Sequence, residues 1–499
     1  MNPRTPLLRS LLIGMVIMAI SSCQLITDPN KIILPEWDPI IAIPIMHDSL
    51  GIFQIGTRVD SSVRLRADAD GLLSLVYQDT FTSGYLEEFV HIEDFEVLAP
   101  PVGATVPFPD DRFGNMSIRR MVLEVEYRQD IDEAMEFTFF VGSLTKNDIP
   151  YSETIVEAET GTVRRTYTIT DYEFSLPGGR IFFQYRAKRI STGEELTIQP
   201  IVLRFSEIDL SYVEGKMGAY RVALETQRID LDMFQRIQPV GIKMLEPRIN
   251  CRVRNTFGLP LLIKSQLIQA RTLDGDSIDL NSARLESGIP LNFPALEAAG
   301  DARTTLFEIN RNNSNLPELI NAGTSSMLWR FVGEIADSDQ DTYGFVLDSS
   351  RVDIEMEIDL PLYGSFESIT LDEEFEMDLS GFEDLWQEAE LRIVAENQYP
   401  IDLELQIYLL DANFQQIDSL FTDVRTILKA AEVTEEGKPI IASTKVTDLP
   451  ISPKRIQNFE LTRAIKVVAK VATNEGGTIP IQVLERNYLN VSMGLEIDR

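Results

Sequence analysis

Residues 244–280, MLEPRINCRVRNTFGLPLLIKSQLIQARTLDGDSIDL, recur in diverged form as residues 386–420, WQEAELRIVAENQYPIDLELQIYLLDANFQQIDSL. Pro260 aligns with Pro400, and the match extends upstream of both stretches with small changes in offset. Such drift is expected where short loop insertions separate equivalent strands of a duplicated unit. We therefore interpret the second half of the chain as two tandem copies of one unit.

The two copies also share their last segment. VLDSSRVDIEMEID, residues 346–359, matches VLERNYLNVSMGLEID, residues 483–498. In both segments apolar residues alternate with polar ones, which is the period of a half-buried strand. Each copy is therefore predicted to close with a β-strand.

A short corner interrupts the alternating runs in both copies. It reads Asn255-Thr256-Phe257-Gly258-Leu259-Pro260 in the first and Asn397-Gln398-Tyr399-Pro400 in the second. Asn tolerates left-handed backbone and Pro fixes φ, so this composition is typical of a turn between two strands. A binding site at the two asparagines is the alternative interpretation.

Strand-period patterns dominate the rest of the chain, so the fold is predicted to be mainly β. We expect an N-terminal β-sandwich over residues 37–213, followed by β repeats over residues 214–362 and 363–499. Residues 116–212 are either a third, more diverged copy or an unrelated sandwich, and the sequence leaves both interpretations open.

Each repeat is expected to carry one short helix. Asn315–Ile320 in the first repeat and Ser452–Phe459 in the second both begin with a capping residue type and a proline near the first turn. These helices are predicted to lie across a sheet.

The N-terminus resembles a bacterial lipoprotein signal. Residues 1–22 combine a basic start with a short apolar run, and Ile20-Ser21-Ser22-Cys23 resembles the lipobox. The resemblance implies cleavage before Cys23, lipid attachment to Cys23, and a tether over residues 23–36. Gln24 is not the aspartate that retains such proteins in the inner membrane, so it implies the outer membrane. Whether the protein faces the periplasm or the cell surface is left open, and a structural role for Cys23 is the alternative.

Composition excludes several classes of function. The net charge is −33, and without residues 1–22 the chain has 43 basic and 78 acidic side chains. Such a surface repels nucleic acids and anionic lipid headgroups, so membrane attachment must come from the acyl chains. Cys251, the second of the two cysteines, alternates with polar neighbours and is predicted to be a buried core residue, not a catalytic thiol.

Nothing in the sequence points to catalysis. The two histidines, His47 and His91, are too few for a multi-histidine metal site, and no phosphate-binding glycine loop or nucleophile elbow is present. Carboxylates are numerous enough for a glycosidase-type pair, but no two are singled out. We expect no enzyme activity and no cofactor.

One set of aspartates imitates a calcium-binding loop. Its members are Asp337, Asp339, Asp341 and Asp348. Thr342 stands where such a loop needs glycine, and Asp348 replaces the bidentate glutamate, so the imitation is incomplete. The alternative interpretation is a polar hairpin between Ile335 and Tyr343.

Several segments resemble a group of uncharacterised Bacteroidota lipoproteins. They are Glu36–Pro44, Asp70–Tyr77, Asn312–Leu316 and the corner at Asn255–Pro260. The paired repeats, each with one helix, are also similar in outline to LEA2-type domains and, more distantly, to tubular lipid-binding domains. These resemblances imply an outer-membrane lipoprotein that binds a hydrophobic ligand or an envelope partner. The alternatives are an accessory subunit that docks an outer-membrane protein or glycan, and a carboxylate-based hydrolase.

Overall fold

The computed structural model describes the chain in segments. They are residues 41–51, 63–83, 90, 92–99, 104–158, 160–198, 200–218, 221–223, 226–231, 240–335, 342–376 and 388–498. All structural statements below concern these residues.

β-Strands account for most of the described chain, and in order they have the following bounds. The first twelve are β1 Ile41–Gly51, β2 Val63–Ala67, β3 Leu73–Ser83, β4 Phe95–Ala99, β5 Ala104–Pro107, β6 Phe113–Gln129, β7 Met135–Lys146, β8 Ile149–Glu157, β9 Gly161–Ser175, β10 Arg180–Arg189, β11 Glu195–Leu196 and β12 Ile201–Lys216. The next eleven are β13 Arg221–Ala223, β14 Gln227–Asp230, β15 Lys243–Met244, β16 Arg248–Asn255, β17 Leu261–Thr272, β18 Ser277–Asp279, β19 Ile289–Pro290, β20 Arg303–Ile309, β21 Thr324–Ile335, β22 Tyr343–Leu347 and β23 Val352–Pro361. The last twelve are β24 Tyr363–Ser365, β25 Ile369–Glu376, β26 Glu388–Asn397, β27 Ile401–Leu410, β28 Gln416–Ser419, β29 Arg425–Leu428, β30 Glu432–Val433, β31 Pro439–Ile441, β32 Ser443–Ile451, β33 Ala464–Thr473, β34 Ile481–Gln482 and β35 Tyr488–Asp498. The prediction of a mainly β fold is confirmed.

The strand pairing follows one plan three times. In what we call sheet A, the orders are β4-β12-β6-β9 in the first unit, β3-β23-β16-β20 in the second and β1-β35-β26-β32 in the third. In sheet B they are β5-β10-β7-β8, β14-β21-β17-β18 and β25-β33-β27-β28. All of these pairs are antiparallel. The shared pairing order favours the interpretation of residues 116–212 as a further copy of the unit.

The N-terminal strands are distributed among the units in reverse order. β4 pairs with the closing strand of the first unit, β3 with that of the second, and β1 with that of the third. Each added strand covers a closing strand that would otherwise present unpaired backbone groups at a sheet edge. The predicted boundary at residue 213 therefore does not separate the sheets, because β1, β2 and β3 are hydrogen bonded within sheets A of the second and third units.

Adjacent units are joined in a repeated way. The end of β12 pairs with β22, which precedes the closing strand of the second unit. In the same manner β24, which directly follows β23, pairs with β34 ahead of the third unit's closing strand. At the first joint the rings of Tyr212 and Phe345 stack with centroids 6.0 Å apart. Each joint is therefore closed by backbone pairing between two units, through β22 at the edge of the first unit's sheet and through the separate three-stranded sheet β15-β24-β34.

Three α-helices lie in the described ranges: α1 Ala283–Ser287, α2 Leu316–Asn321 and α3 Pro453–Leu461. α2 and α3 are the helices that the sequence predicts, and α1 is an addition in the second unit. Asn315 does not cap α2, because its Oδ1 accepts from the Asn281 backbone N–H and its Nδ2 donates to the Asp279 carbonyl. None of these helices has the length and apolar character needed to cross a membrane.

The interiors of the units differ in how completely they are covered. In the second unit, Ile249 and Cys251 on β16 are buried between its sheets, at 0% and 2% exposure. Leu391 and Ile393, at comparable places on β26 of the third unit, are only partly buried. Identical strand order therefore does not give the third unit an equally closed core.

Candidate functional site

A cavity of about 960 Å³ lies over the outer face of sheet A in the second unit. β2, β3, β23, β16 and β20 form its floor, and Arg284 of α1 lies at its wall. Side chains alternate between the two faces of a strand. Val253 and Ile354 point into the core, so the residues that alternate with them on β16 and β23 point outward and line this cavity. α1 belongs to the segment between β18 and β20, which in the first unit is replaced by the short connection between β8 and β9.

Two rows of side chains cross the floor in register. One row is Thr80, Glu355, Arg252 and Leu306, and the next is Gln78, Glu357, Asn250 and Glu308. Neighbouring members of a row are directly opposite one another, where cross-strand pairs interact most strongly. The floor therefore combines both signs of charge with amide and hydroxyl groups.

One end of the floor is held by a connected set of polar contacts. Arg66 Nη1 and Nη2 lie 2.9 Å from Glu357 Oε1 and Asp359 Oδ2, respectively. Gln78 Nε2 and Asn250 Nδ2 also donate to Glu357, at 2.9 and 3.2 Å. Burial raises the pKa of Glu357, but the hydrogen bonds from Gln78, Arg66 and Asn250 outweigh it, so the net pKa lies below the usual value.

Replacing Arg66 by glutamine is expected to lower the free energy of unfolding by about 1–2 kcal/mol at neutral pH. The substitution removes the charge-assisted bonds from Arg66 to Glu357 and to the buried carboxylate of Asp359. Glu357 has a lowered folded-state pKa, so its contribution is present above its unfolded pKa and is lost as the pH falls through the folded value. Urea unfolding at neutral pH and at about pH 3 should show a smaller effect in acid. Arg128→Gln, at an exposed pair with Asp130, is the control and should change stability little.

The other end of the floor carries two arginine side chains that make few ion pairs within the protein. Arg252 Nε lies 3.5 Å from Glu355, and their side chains are 59% and 62% exposed. The Arg284 guanidinium makes no ion pair with any residue of the described ranges. Leu306, on edge strand β20, is 64% exposed and lies directly opposite Arg252. This end can therefore offer two guanidinium groups and an apolar contact to a partner.

Cys251 lies beneath this floor and points into the core. Its side chain is buried, and burial raises the pKa of the thiol to about 12. The structure confirms the prediction of a buried core cysteine. At neutral pH the thiol is almost entirely protonated and out of reach of solvent, which excludes it as a nucleophile.

The thiol is therefore expected to be inert in the folded protein. Ellman's reagent added to residues 24–499 should give no rapid colour, whereas one equivalent should react once the protein is unfolded in denaturant. Rapid reaction of the native protein with unchanged circular dichroism would show that the sheet opens at β16.

The structure does not test the predicted calcium site, because only one of its four aspartates lies in the described residues. Asp337, Asp339 and Asp341 lie outside the described residues, as does Cys23. Asp348 forms an ion pair with Arg119 of the first unit, and its backbone N–H donates to the Ser211 carbonyl at 2.9 Å. Within the described ranges no cluster of three or more His, Cys, Asp or Glu side chains is arranged to hold a metal ion.

The two strands that flank the same segment pair with different partners. β21, which ends at Ile335, pairs in sheet B of the second unit, whereas β22, which begins at Tyr343, pairs with β12 of the first unit. Residues 336–341 between them lie outside the described residues, so the hairpin interpretation stays a prediction.

Both corner asparagines have structural roles. Asn255 Oδ1 accepts from the Phe257 N–H, and Asn397 Oδ1 accepts from the Tyr399 N–H, each at 2.9 Å. Both asparagines are buried, at 0% and 1% exposure. The turn interpretation is confirmed, and the amides are inaccessible to a ligand.

Sequence patterns missed Arg66, Arg284 and Leu306. Arg66 contacts carboxylates more than 290 positions away, so no local pattern could pair them. Leu306 carried a usable signal, because it interrupts the polar positions of β20 on the face opposite Phe307. An apolar residue on the solvent face of an edge strand is a feature that sequence reading can find.

Comparisons with known proteins give no family assignment. No family model matches the sequence. No curated protein matches it either. A presumed secreted protein from Parabacteroides distasonis is similar over 56% of this chain and 83% of its own, with 13% identity and a TM-score of 0.33.

Two further structures have lower scores. That of the infectious bursal disease virus Gx strain covers 88% of this chain and 82% of its own, with 9% identity and a TM-score of 0.18. The PBSX exported protein XepA covers 60% and 95%, with 10% identity and a TM-score of 0.12. At such scores these likenesses support no inference about function.

Proposed function

We propose that this chain is a non-catalytic lipoprotein of the outer membrane that docks an envelope protein in the cavity of its second unit. The anchor is the acylated Cys23, as the lipobox resemblance implies. The observation that carries the docking role is the polar cavity of about 960 Å³, in which Arg252 and Arg284 face solvent beside the exposed Leu306.

The chemistry of the cavity supports a polar protein partner. Arginine is enriched at protein interfaces because its planar guanidinium binds carboxylates in a bidentate manner and stacks on flat groups. Leu306 adds an apolar contact at the rim. The residues that donate hydrogen bonds to Glu357 hold the floor in place. A partner surface with carboxylates around an apolar side chain is complementary to this arrangement.

A photo-crosslinking experiment tests the docking role. A benzoylphenylalanine introduced at Leu306 should give one defined adduct in envelope extracts from the native organism. Arg252→Glu and Arg284→Glu should abolish the adduct, since both place negative charge against the partner's carboxylates. Val446 on β32 is the matched control position, because it is also an exposed apolar residue on the corresponding edge strand of the third unit.

A diffuse set of adducts, equal at Leu306 and Val446, would overturn the docking role. The anchor is tested separately by metabolic labelling with a fatty acid. Cys23→Ser should abolish the label and release the protein from membranes. Retained label would refute attachment at Cys23.

A hydrophobic ligand is the second candidate, and the third unit favours it. Leu391 and Ile393 on β26, with Leu403 and Leu405 on β27, face the same interior and remain partly exposed. Equivalent strands in the second unit bury Ile249 and Ile263 almost completely. A partly open apolar interior is the property that a lipid-binding sandwich requires.

Native mass spectrometry separates the two candidates. Residues 24–499 purified from the native envelope should carry a stoichiometric lipid if the third unit is a ligand site, and Leu403→Gln should reduce that occupancy. A mass equal to that of the chain alone would refute the lipid role and leave the docking role intact.

A further inference from the structure

The outer face of sheet B in the first unit carries two exposed aromatic rings. Phe140 on β7 is 40% exposed and Phe182 on β10 is 37% exposed. The pairing of Val141 with Phe183 places Phe182 opposite Gly142, two residues from Phe140 on the same face. The rings therefore belong to one surface, separate from the cavity of the second unit.

Gly142 allows the Phe182 ring to lie close against the sheet. A methyl group on Gly142 would overlap the Cδ1 atom of that ring. The backbone N–H of Phe182 donates to the buried Ser143 Oγ at 2.9 Å, which fixes the strand where β7 bends. The position of the Phe182 ring is therefore constrained, so little side-chain entropy would be lost when a ligand binds to it.

The groups around the two rings are polar, and Arg180 and Arg186 lie on the same face of β10 as Phe182. Phe140 stands between Gln184 and Ser152 in its row, and Phe182 stands opposite Thr105. In the next row Thr138 shares a hydrogen bond of 2.9 Å with Thr154 beside Arg186. These two rows contain no carboxylate. The nearby carboxylates are paired with cations, since Arg186 Nε lies 4.0 Å from Glu195 Oε1 and Lys188 Nζ lies 2.6 Å from Glu136 Oε1.

We propose that this face is a carbohydrate-binding surface for a neutral polysaccharide. An aromatic face carries negative charge density and attracts the polarised C–H groups of a sugar ring that stacks on it. Gln184 and Arg186 present planar donors and acceptors, and the neighbouring hydroxyls suit sugar hydroxyl groups. Phe140 and Phe182 are diagonal neighbours with Gly142 and Gln184 at the other two corners. A small apolar surface bordered by polar groups fits a sugar ring better than it fits an apolar protein partner, which needs a larger continuous patch.

Affinity electrophoresis tests this surface directly. Residues 24–499 should be retarded in native gels that contain at least one of laminarin, pullulan, xylan or mannan. Phe140→Ala and Phe182→Ala should each weaken binding by about fivefold or more, whereas Phe182→Tyr should preserve it. Leu98→Ala, at a 65% exposed position on β4 of sheet A, is the control and should bind as the parent does.

Gly142→Ala provides an independent variant that displaces the Phe182 ring without removing it. It should weaken binding while circular dichroism remains unchanged. Absence of retardation in all four polysaccharides, or equal retardation of the Phe140→Ala/Phe182→Ala double variant, would overturn the proposal. Arg252→Glu should leave the retardation unchanged, so failure here is distinguishable from failure of the docking role.

Discussion

Gly258→Ala is expected to lower the free energy of unfolding by about 3 kcal/mol or more, because a methyl group at this position cannot be accommodated. A Cβ atom on Gly258 would overlap the ring of Phe345, which is fully buried. The two residues also exchange backbone hydrogen bonds of 3.0 and 3.3 Å. The substitution is therefore expected to disrupt both the contact with the Phe345 ring and the backbone bridge between the two residues.

The expected damage extends to the joint between the first and second units. Phe345 lies on β22, which pairs with β12 and stacks on Tyr212. The ring cannot move away from a residue at 258 without leaving this stack or breaking the bridge. A local overlap at the corner therefore becomes a loss of contact between units.

Calorimetry on the parent and two variants measures the effect. Gly333→Ala is the matched control, because Gly333 is in β21 of the same unit and a Cβ atom there meets nothing within 4 Å. We expect its melting temperature to stay close to that of the parent and that of Gly258→Ala to fall by several degrees. Equal melting curves for the two variants would show that the Phe345 ring relaxes without cost.

The repeated unit could be predicted because its signals are local. Alternation identifies β23 and β35, and turn chemistry identifies the corners at Asn255 and Asn397. These patterns depend on backbone preferences and on burial of one strand face, which leave a direct trace in neighbouring residues. The corresponding helices, α2 and α3, were found for the same reason.

The pairing of the N-terminal strands could not be predicted in this way. Nothing in Ile41–Gly51 identifies Tyr488–Asp498 as its partner, because antiparallel pairing requires only compatible lengths and faces. The same limit applies to the candidate cavity. Its floor joins residues from β2, β3, β23, β16 and β20, and α1 at its wall has no counterpart in the other copies that could reveal it.

Asn397→Asp is expected to lower the free energy of unfolding by about 3–5 kcal/mol at neutral pH. Asn397 Nδ2 donates to the carbonyls of Ile401 and Lys429, at 3.1 and 2.9 Å, from a position that is 1% exposed. The substitution keeps the size of the side chain but places a carboxylate oxygen against two carbonyl oxygens. Two hydrogen bonds are lost and a buried charge is left without a counterion.

The pH dependence identifies the cause of that loss. Burial beside carbonyls should raise the pKa of the introduced carboxyl above its unfolded value, so the charged form appears in the folded protein only at higher pH. The destabilisation should therefore grow as the pH rises through that range and shrink in acid, where the protonated acid can donate one bond again. Urea unfolding at neutral pH and near pH 4 measures this difference.

Asn255→Asp tests the same role in the second unit, where Asn255 Nδ2 donates to the Asn292 carbonyl at 3.1 Å. One bond is lost there instead of two, so the expected effect is smaller than at Asn397. Asn413→Asp, at an exposed turn, is the control for adding one negative charge. If the two corner variants kept their stability but lost a binding partner, the asparagines would be ligands. Because both asparagines are buried, we expect the two corner variants to lose stability. Binding should be lost only under conditions in which these variants unfold.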